Sequence, residues 1–486
     1  MASPSKPAIL MAASEALPFA KTGGLGDVMG SLPKHLAELG VPVRVVIPFY
    51  PGVEERGVSV DKVLSSLEIN MGDKSFNTDV YTSILNNNYE VFLIRYDPFF
   101  HRKNLYGPPG TDYRDNPIRF AFFARAVVRL TEELPGRVDI VHCHDWQTGL
   151  IPLFLTRKGV KSLFTIHNLG YQGLFPPRVL EEIGLSRDHF HPEDLEFFGR
   201  INYLKAGIVW GDALSTVSPR YSREIQEAEY GFGLEGILKK HSAKLQGILN
   251  GVDYTAWDPG TDPFLAANYT REDLEGKNVC REELLEIFNL PEREKAPILG
   301  IITRLVHQKG VDLILEALPA LMKRKLRLVV LGTGQPEYQK ALKEAAAVYP
   351  DLGVHIGYDE ALAHKIEAGA DIYLMPSLYE PCGLNQIYSL RYGTIPVVRE
   401  TGGLKDTVTP FVRSTGEGVG FTFSGKSGRA LTAAVDKALV LWSEPGQWKK
   451  IVRNAMSVDY SWTRSAGQYL QLYRNILASP AVGGPR

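Results

Sequence analysis

Short apolar runs alternate with helical patterns almost from one end of the chain to the other, and that rhythm leaves few folds open. The first half carries "AILMAAS" (8–14), "PVRVVIP" (42–48), "VDIVHCH" (138–144), "SLFTIH" (162–167), "ALSTVS" (213–218) and "LQGILNG" (245–251). The second half carries "PILGIITRL" (297–305), "LRLVVLG" (326–332), "GVHIGY" (353–358), "DIYLMPS" (371–377) and "IPVV" (395–398). Amphipathic patterns such as "VDLILEALPALMKRK" (311–325) and "ALTAAVDKALVLWSE" (430–444) lie between them. Continuous apolar strands separated by amphipathic helices predict parallel sheets covered on both faces.

A chain of 486 residues is too long for one ordinary core, so two domains are expected. The turn-rich segment from Asp253 to Pro297 breaks the rhythm and puts the boundary near Gly251–Tyr254. This divides the chain into domains over 1–252 and 253–458 and a terminal segment over 459–486. Its helical pattern, "SWTRSAGQYLQLYRNILA" (461–478), has no following strand and is expected to pack back on the first domain, with a frayed tail after it.

A net charge of −1 excludes the electrostatic footprint of a nucleic-acid or anionic-membrane binder. Cys143, Cys280 and Cys382 are widely spaced, which argues against a disulfide framework or a zinc cluster. No apolar run reaches the ~20 residues of a membrane span, and the run at 8–14 reads as a strand rather than a signal peptide, so the cytoplasm is the expected address.

Ligands of doubly wound sheets bind beyond the carboxyl ends of the strands, and polar residues cluster there. Lys21-Thr22-Gly23-Gly24-Leu25-Gly26-Asp27 sets a lysine against a glycine-rich turn before a helical stripe of Val28, Leu32, Leu36 and Leu39. Pro33 predicts that this helix starts late, near Ser31, or kinks. The residues fit a phosphate site or an ordinary turn, and neither the dinucleotide fingerprint nor the P-loop spacing is present. After "VDIVHCH", Asp145 suits a hydroxyl-rich ligand, while His142 and His144 share a strand face that a metal could use, without a third ligand at the usual spacing. His167 follows "SLFTI" directly.

Arg304 and Lys309 precede the helical run beginning at Val311. Two cations there oppose the helix dipole unless an anion sits with them, which predicts a phosphate or pyrophosphate clamp. Glu380 follows "DIYLM" and precedes another helix, where it would accept hydrogen bonds from sugar hydroxyls. Cys382 reads as a small packing residue and Tyr358 as a ring able to stack on a base. No two aspartates are spaced D-x-D, so donor phosphates would be neutralised by Lys21, Arg304 and Lys309. Thr-Gly-Gly-Leu recurs at 401–404 after Glu400, which predicts a second loop offering backbone amides rather than a second lysine.

Taken together, K-T-G-G-L-G-D-V, H-D-W, H-N-L-x-Y-Q-G, "LKAGIVWGDALSTVSPRY", "ILNGVD", R-L-V-x-Q-K-G, E-P-C-G-L-N-Q and T-G-G-L-x-D-T-V resemble the bacterial glycogen and starch synthases of glycosyltransferase family 5, over nearly the whole chain. The resemblance implies two Rossmann-like doubly wound α/β domains of the GT-B type with an interdomain active-site cleft. The first domain would lie on the acceptor side and the second on the nucleotide-sugar side. It implies retaining transfer of glucose from ADP-glucose to the non-reducing end of an α-1,4-glucan such as glycogen, with no required metal or cofactor. Carried over residue by residue, Lys21, Gly23 and Gly24 would contact donor phosphate, and Arg304 and Lys309 the departing pyrophosphate. Asp145, His167 and Glu380 would hold the glucose, with Asn250 and Asp27 near the sugar or nucleotide and Tyr358 on adenine. Cys382, Gly383, Leu384, Thr401, Gly402 and Gly403 would line the donor. Where many retaining enzymes of this fold carry a second glutamate, eight residues after the first, this chain has Tyr388, leaving the ribose unassigned. The stretch 104–123 is expected near the acceptor. A UDP-glucose-dependent synthase and a non-catalytic glucan-binding protein are the competing readings; no motif bears on oligomeric state.

Overall fold

The computed structural model describes residues 6–85, 89–108, 110–156, 158–291 and 296–479; the expected frayed tail lies outside the described residues. The chain folds as two compact units. The second comprises Val252–Ser461 with Ser218–Tyr221, and the rest of the described residues, Trp462 onwards included, form the first.

The first unit is built on β1 (Ile9–Ala12), β2 (Val43–Pro48), β3 (Asp61–Met71), β4 (Lys74–Leu85), β5 (Tyr89–Arg95), β6 (Ile140–His144), β7 (Lys161–Ile166), β8 (Leu174–Phe175), β9 (Glu196–Phe197), β10 (Arg200–Asn202), β11 (Ala213–Thr216) and β12 (Leu245–Gly247). Nine of these form one sheet in the order β12-β11-β7-β6-β1-β2-β5-β4-β3, and β8, β10 and β9 form a small antiparallel one. Seven strands of the large sheet run parallel, but β4 and β3 are added antiparallel at its edge. The expectation of wholly parallel sheets is corrected there. The first half of β3 is largely exposed, and only Leu67, Ile69 and Met71 alternate inward, so the region offers little apolar signal.

A second correction concerns Pro33. The helix does not wait until Ser31; it runs from Gly24 to Glu38 through the proline. An interior proline costs about 3 kcal/mol, and the burial of Leu25, Val28, Met29, Leu32 and Leu36 against Met11, Val45 and Ile47 offsets it. The helix Trp462–Ala478 packs in this same unit, burying Trp462, Tyr469 and Tyr473 in that core.

The second unit contains β13 (Ile298–Leu305), β14 (Arg327–Gly334), β15 (Leu352–Ile356), β16 (Ile372–Met375), β17 (Ile395–Arg399) and β18 (Phe421–Phe423), the last not marked by any apolar run. All pair in parallel, in the order β15-β14-β13-β16-β17-β18. This is the doubly wound order, with its direction reversing between β13 and β16. β13 pairs with β14 over its full length but with β16 only at Leu299–Ile372 and Gly300–Tyr373, so the two strands part toward their carboxyl ends. Tyr373 Oη and Asn385 Nδ2 donate to the Ile302 carbonyl across the opening.

Candidate active site

In the first unit the reversal falls between β1 and β6, and both strands deliver polar residues at their ends. Glu15, buried just beyond β1, organises the glycine-rich loop. Its carboxylate accepts from the Thr22 amide at 2.5 Å, the Thr22 hydroxyl at 2.6 Å and the Gly23 amide at 3.3 Å. Tyr106 donates to it as well, at 2.5 Å. The loop is thus pinned from beneath, while a Cβ at Gly23 or Gly24 would meet nothing within 4 Å. Open space over two glycines at the start of a helix is the geometry an anion needs. Lys21 stands beside it, partly exposed, with its ammonium 2.6 Å from Asp27 in the first helical turn.

Beyond β6, Asp145 has φ +58° and ψ −178°, a region held almost only by glycine. The His167 amide donates to its Oδ1 at 2.7 Å. Burial pushes this carboxyl up to about 7, against the His167 and Asn168 amides that pull it down. His167 continues into a row of rings: its Nε2 lies 2.9 Å from His144 Nδ1, and His144 lies against His142 with centroids 4.1 Å apart. Burial pushes His167 down to about 3 and the other two well below their ordinary value, so all three are neutral near pH 7. His142 has both ring nitrogens engaged, with Tyr473 Oη at 2.8 Å and Thr165 Oγ1 at 2.6 Å. It is therefore a link in the core. Among the described residues no group of three or more His, Cys, Asp or Glu is arranged around a metal position.

At the end of β6 and in the loops after β6 and β12, His144 Nε2, Gln147 Oε1 and Asn250 Oδ1 are buried without a hydrogen-bond partner. Other such atoms occur elsewhere among the described residues, and at these strand ends a ligand is one way to satisfy them.

In the second unit Lys309 Nζ lies 2.5 Å from Glu380 Oε2, both side chains largely buried, and Ser377 Oγ donates to the same oxygen at 3.0 Å. Glu380 was expected to rely on a helix N-terminus. The helix begins only at Asn385, because the chain first turns through Gly383 at φ +73°, and Lys309 and Ser377 supply the partners instead. Arg304, at the end of β13, is exposed, and its guanidinium has no partner among the described residues. Arg304, five residues before Lys309 in the chain, can receive an anion without first breaking a salt bridge of its own.

The repeated Thr-Gly-Gly serves a different purpose from its first copy. The Gly403 amide donates to the Glu380 and Pro381 carbonyls, at 3.1 and 3.2 Å, instead of standing open to a ligand. Gly402 has φ +41°, and a Cβ there would come 1.9 Å from the Glu380 carbonyl. A Cβ on Gly403 would come 2.0 Å from that of Cys382. The glycines let the buried Thr401 loop press against the Glu380–Cys382 turn. Glu400 accepts from Lys405 at 2.7 Å and Thr422 at 2.9 Å. Cys382 is buried, and Leu384 directly precedes the Asn385 helix. Tyr358 is 79% exposed, so it is not a packing residue.

Two supports carried no sequence signal. Glu15 looks like any acidic residue after a strand, and Arg399, buried at the end of β17, holds the Ser377 and Leu378 carbonyls. Tyr388 is accounted for as well. Its ring stacks on Trp257 at 4.1 Å, and Trp257 stacks on His364 at 3.7 Å.

Two doubly wound units, each gathering polar groups after the strands where its order reverses, make a two-domain α/β architecture, and the comparisons show it to be that of a glycosyltransferase. Residues 8–240 match the family model for the starch synthase catalytic domain, and residues 283–455 match that for glycosyl transferases group 1. The chain belongs to the glycogen and starch synthase family. It is 45% identical to the glycogen synthase of Anaeromyxobacter dehalogenans (strain 2CP-C), over 96% of this chain and 99% of that protein. It is 44% identical to the glycogen synthase of Koribacter versatilis (strain Ellin345), over 96% and 97%. The catalytic domain of starch synthase IV from Arabidopsis thaliana, solved with ADP and acarbose, superposes with a TM-score of 0.90 at 33% identity, covering 98% of this chain and all of that one. Among the described residues no helix is long and apolar enough to cross a membrane.

Proposed function

We propose that this protein elongates an α-1,4-glucan by transferring glucose from ADP-glucose to its non-reducing end with retention of configuration. The observation that carries the reading is the largely buried Lys309–Glu380 pair, with Arg304 at the end of β13 five residues before Lys309, where the second sheet reverses. Arg304 and Lys309 take up the charge that develops on the pyrophosphate as the glucosyl C1–O bond breaks, and Lys21 with the Gly23 and Gly24 amides binds donor phosphate. Asp145, His167 and Glu380 orient the glucose through its hydroxyls, and the neutral His167 ring does so without adding charge. Asn250 offers its orphaned carbonyl to sugar or nucleotide, Asp27 fixes Lys21, and Tyr358 stacks on adenine. Gly383, Leu384 and the Thr401–Gly403 loop shape the wall behind Glu380. The acceptor hydroxyl attacks on the face the leaving group vacates, and its proton passes to the departing phosphate. We place this chemistry in the cytoplasm, consistent with the run at 8–14 serving as β1 of a core sheet.

Incubation with glycogen and labelled ADP-glucose or UDP-glucose tests the reading. Label enters glycogen from ADP-glucose. Incorporation from UDP-glucose alone would reassign the donor, and incorporation from neither would overturn the activity.

A further inference from the structure

The hairpin joining β9 to β10 turns through two residues, Phe198 and Gly199, with φ +47° and +76°. Two consecutive left-handed residues mark a type I′ turn, whose first position favours Asn, Asp or Gly. A phenylalanine there is strained, and Phe198 is 81% exposed, more than any other large apolar residue described. Local turn chemistry and hydration both argue against it.

The pattern occurs a second time. Phe232 and Gly233 have φ +50° and +84°, and Phe232 is 41% exposed. The two corners are neighbours: a Cβ on Gly233 would lie 2.9 Å from the Phe197 ring and 3.1 Å from the Phe198 ring. Of the five non-glycine residues with positive φ among those described, these are the two aromatic ones. Asp145, in the candidate site, is another.

We propose that Phe198 and Phe232 form a platform on which the growing glucan chain rests, the apolar faces of its pyranose rings against the aromatic rings. The occupant follows from the surroundings. The charged side chains flanking Phe198 are held by the backbone, Glu196 accepting from the Gly199 amide at 2.8 Å and Arg200 donating to the Leu174 carbonyl, and between them the tip presents an exposed aromatic face. A neutral ligand with flat C–H faces and hydroxyl rims fits that face. The platform is also tied to the candidate site. Gln172 Nε2 donates to the Phe232 carbonyl at 3.0 Å, and the neighbouring Gly173 lies against the Trp146 ring, directly after Asp145. This inference rests on the glucan-elongating reading and adds to it a recognition surface for the acceptor.

Affinity electrophoresis through glycogen-containing gels, without donor, tests it on the full chain with Phe198→Asn, Phe232→Asn and the double variant. The substitutions install the Asn-Gly pair that such turns favour, so Tm holds or rises. The double variant's dissociation constant for glycogen rises about tenfold, and Phe198→Trp retains parent-like binding. Unchanged glycogen retardation in the double variant overturns the proposal, as does a fall in Tm that accompanies any loss of binding. Sedimentation that shows self-association abolished by the substitutions, with glycogen binding intact, would assign the surface to a second copy and also overturns it. The parent's transfer of labelled glucose, run in parallel, separates this failure from failure of the activity itself.

Discussion

Arg304 and Lys309 are five residues apart and carry the same charge, yet the structure commits them differently. Lys309 is held by Glu380, and its removal leaves a buried carboxylate with Ser377 as its remaining side-chain partner. Lys309→Ala should therefore lose about 3–5 kcal/mol of stability as well as rate, visible as a lowered unfolding midpoint in denaturant. Asp145 supplies a pH signature. Its folded pKa is raised to about 7 from an ordinary 3.8, so the native state holds its proton more tightly than the unfolded chain. The stability this gives is full below about 4 and is lost as pH rises through about 7. Asp145→Asn abolishes that slope: relative to the parent, its Tm should gain between pH 5 and pH 8. The buried neutral histidines contribute in the opposite sense, losing stability as pH falls from 6.5 toward the value of about 3 for His167, and they cancel in the difference between parent and variant.

The two Thr-Gly-Gly loops make a prediction at the level of elements. Gly24→Ala meets open space and should leave Tm unchanged while slowing transfer, because the methyl group occupies the face offered to phosphate. Gly402→Ala drives a Cβ into the Glu380 carbonyl at positive φ, and should cost about 1–3 kcal/mol from backbone strain alone. Thermal unfolding beside an activity assay separates them. The sequence showed that both loops sit between strand and helix, but not that one faces outward while the other is packed against a turn. That distinction depends on which carbonyls approach, a tertiary fact. The strands that alternate with helices were legible because, buried on both faces, they read as continuous apolar runs. The β3–β4 edge was not, because its residues turn inward at only a few positions. The cations at and after the end of β13 were legible from charge placed against a helix dipole. Glu15 and Arg399 were not, because their partners are backbone amides and carbonyls brought close only by folding.

Across the whole molecule, the last helix belongs to the core of the first unit although it follows the second in sequence. Trp462, Tyr469 and Tyr473 are buried, and Tyr473 holds His142, which lies against the His144–His167 pair. A chain ending at Ser461 should lose cooperative folding of the first unit, seen as a missing or broadened thermal transition. The central claim is that charge held at the end of β13 stabilises the departing pyrophosphate. The direct measurement is glucose transfer from ADP-glucose to glycogen by the parent and by Arg304→Ala, a substitution that breaks no side-chain hydrogen bond or ion pair among the described residues. The account predicts an unchanged Tm and a kcat lower by about 100- to 1,000-fold. A variant that folds equally well and transfers glucose at the parent's rate would contradict it.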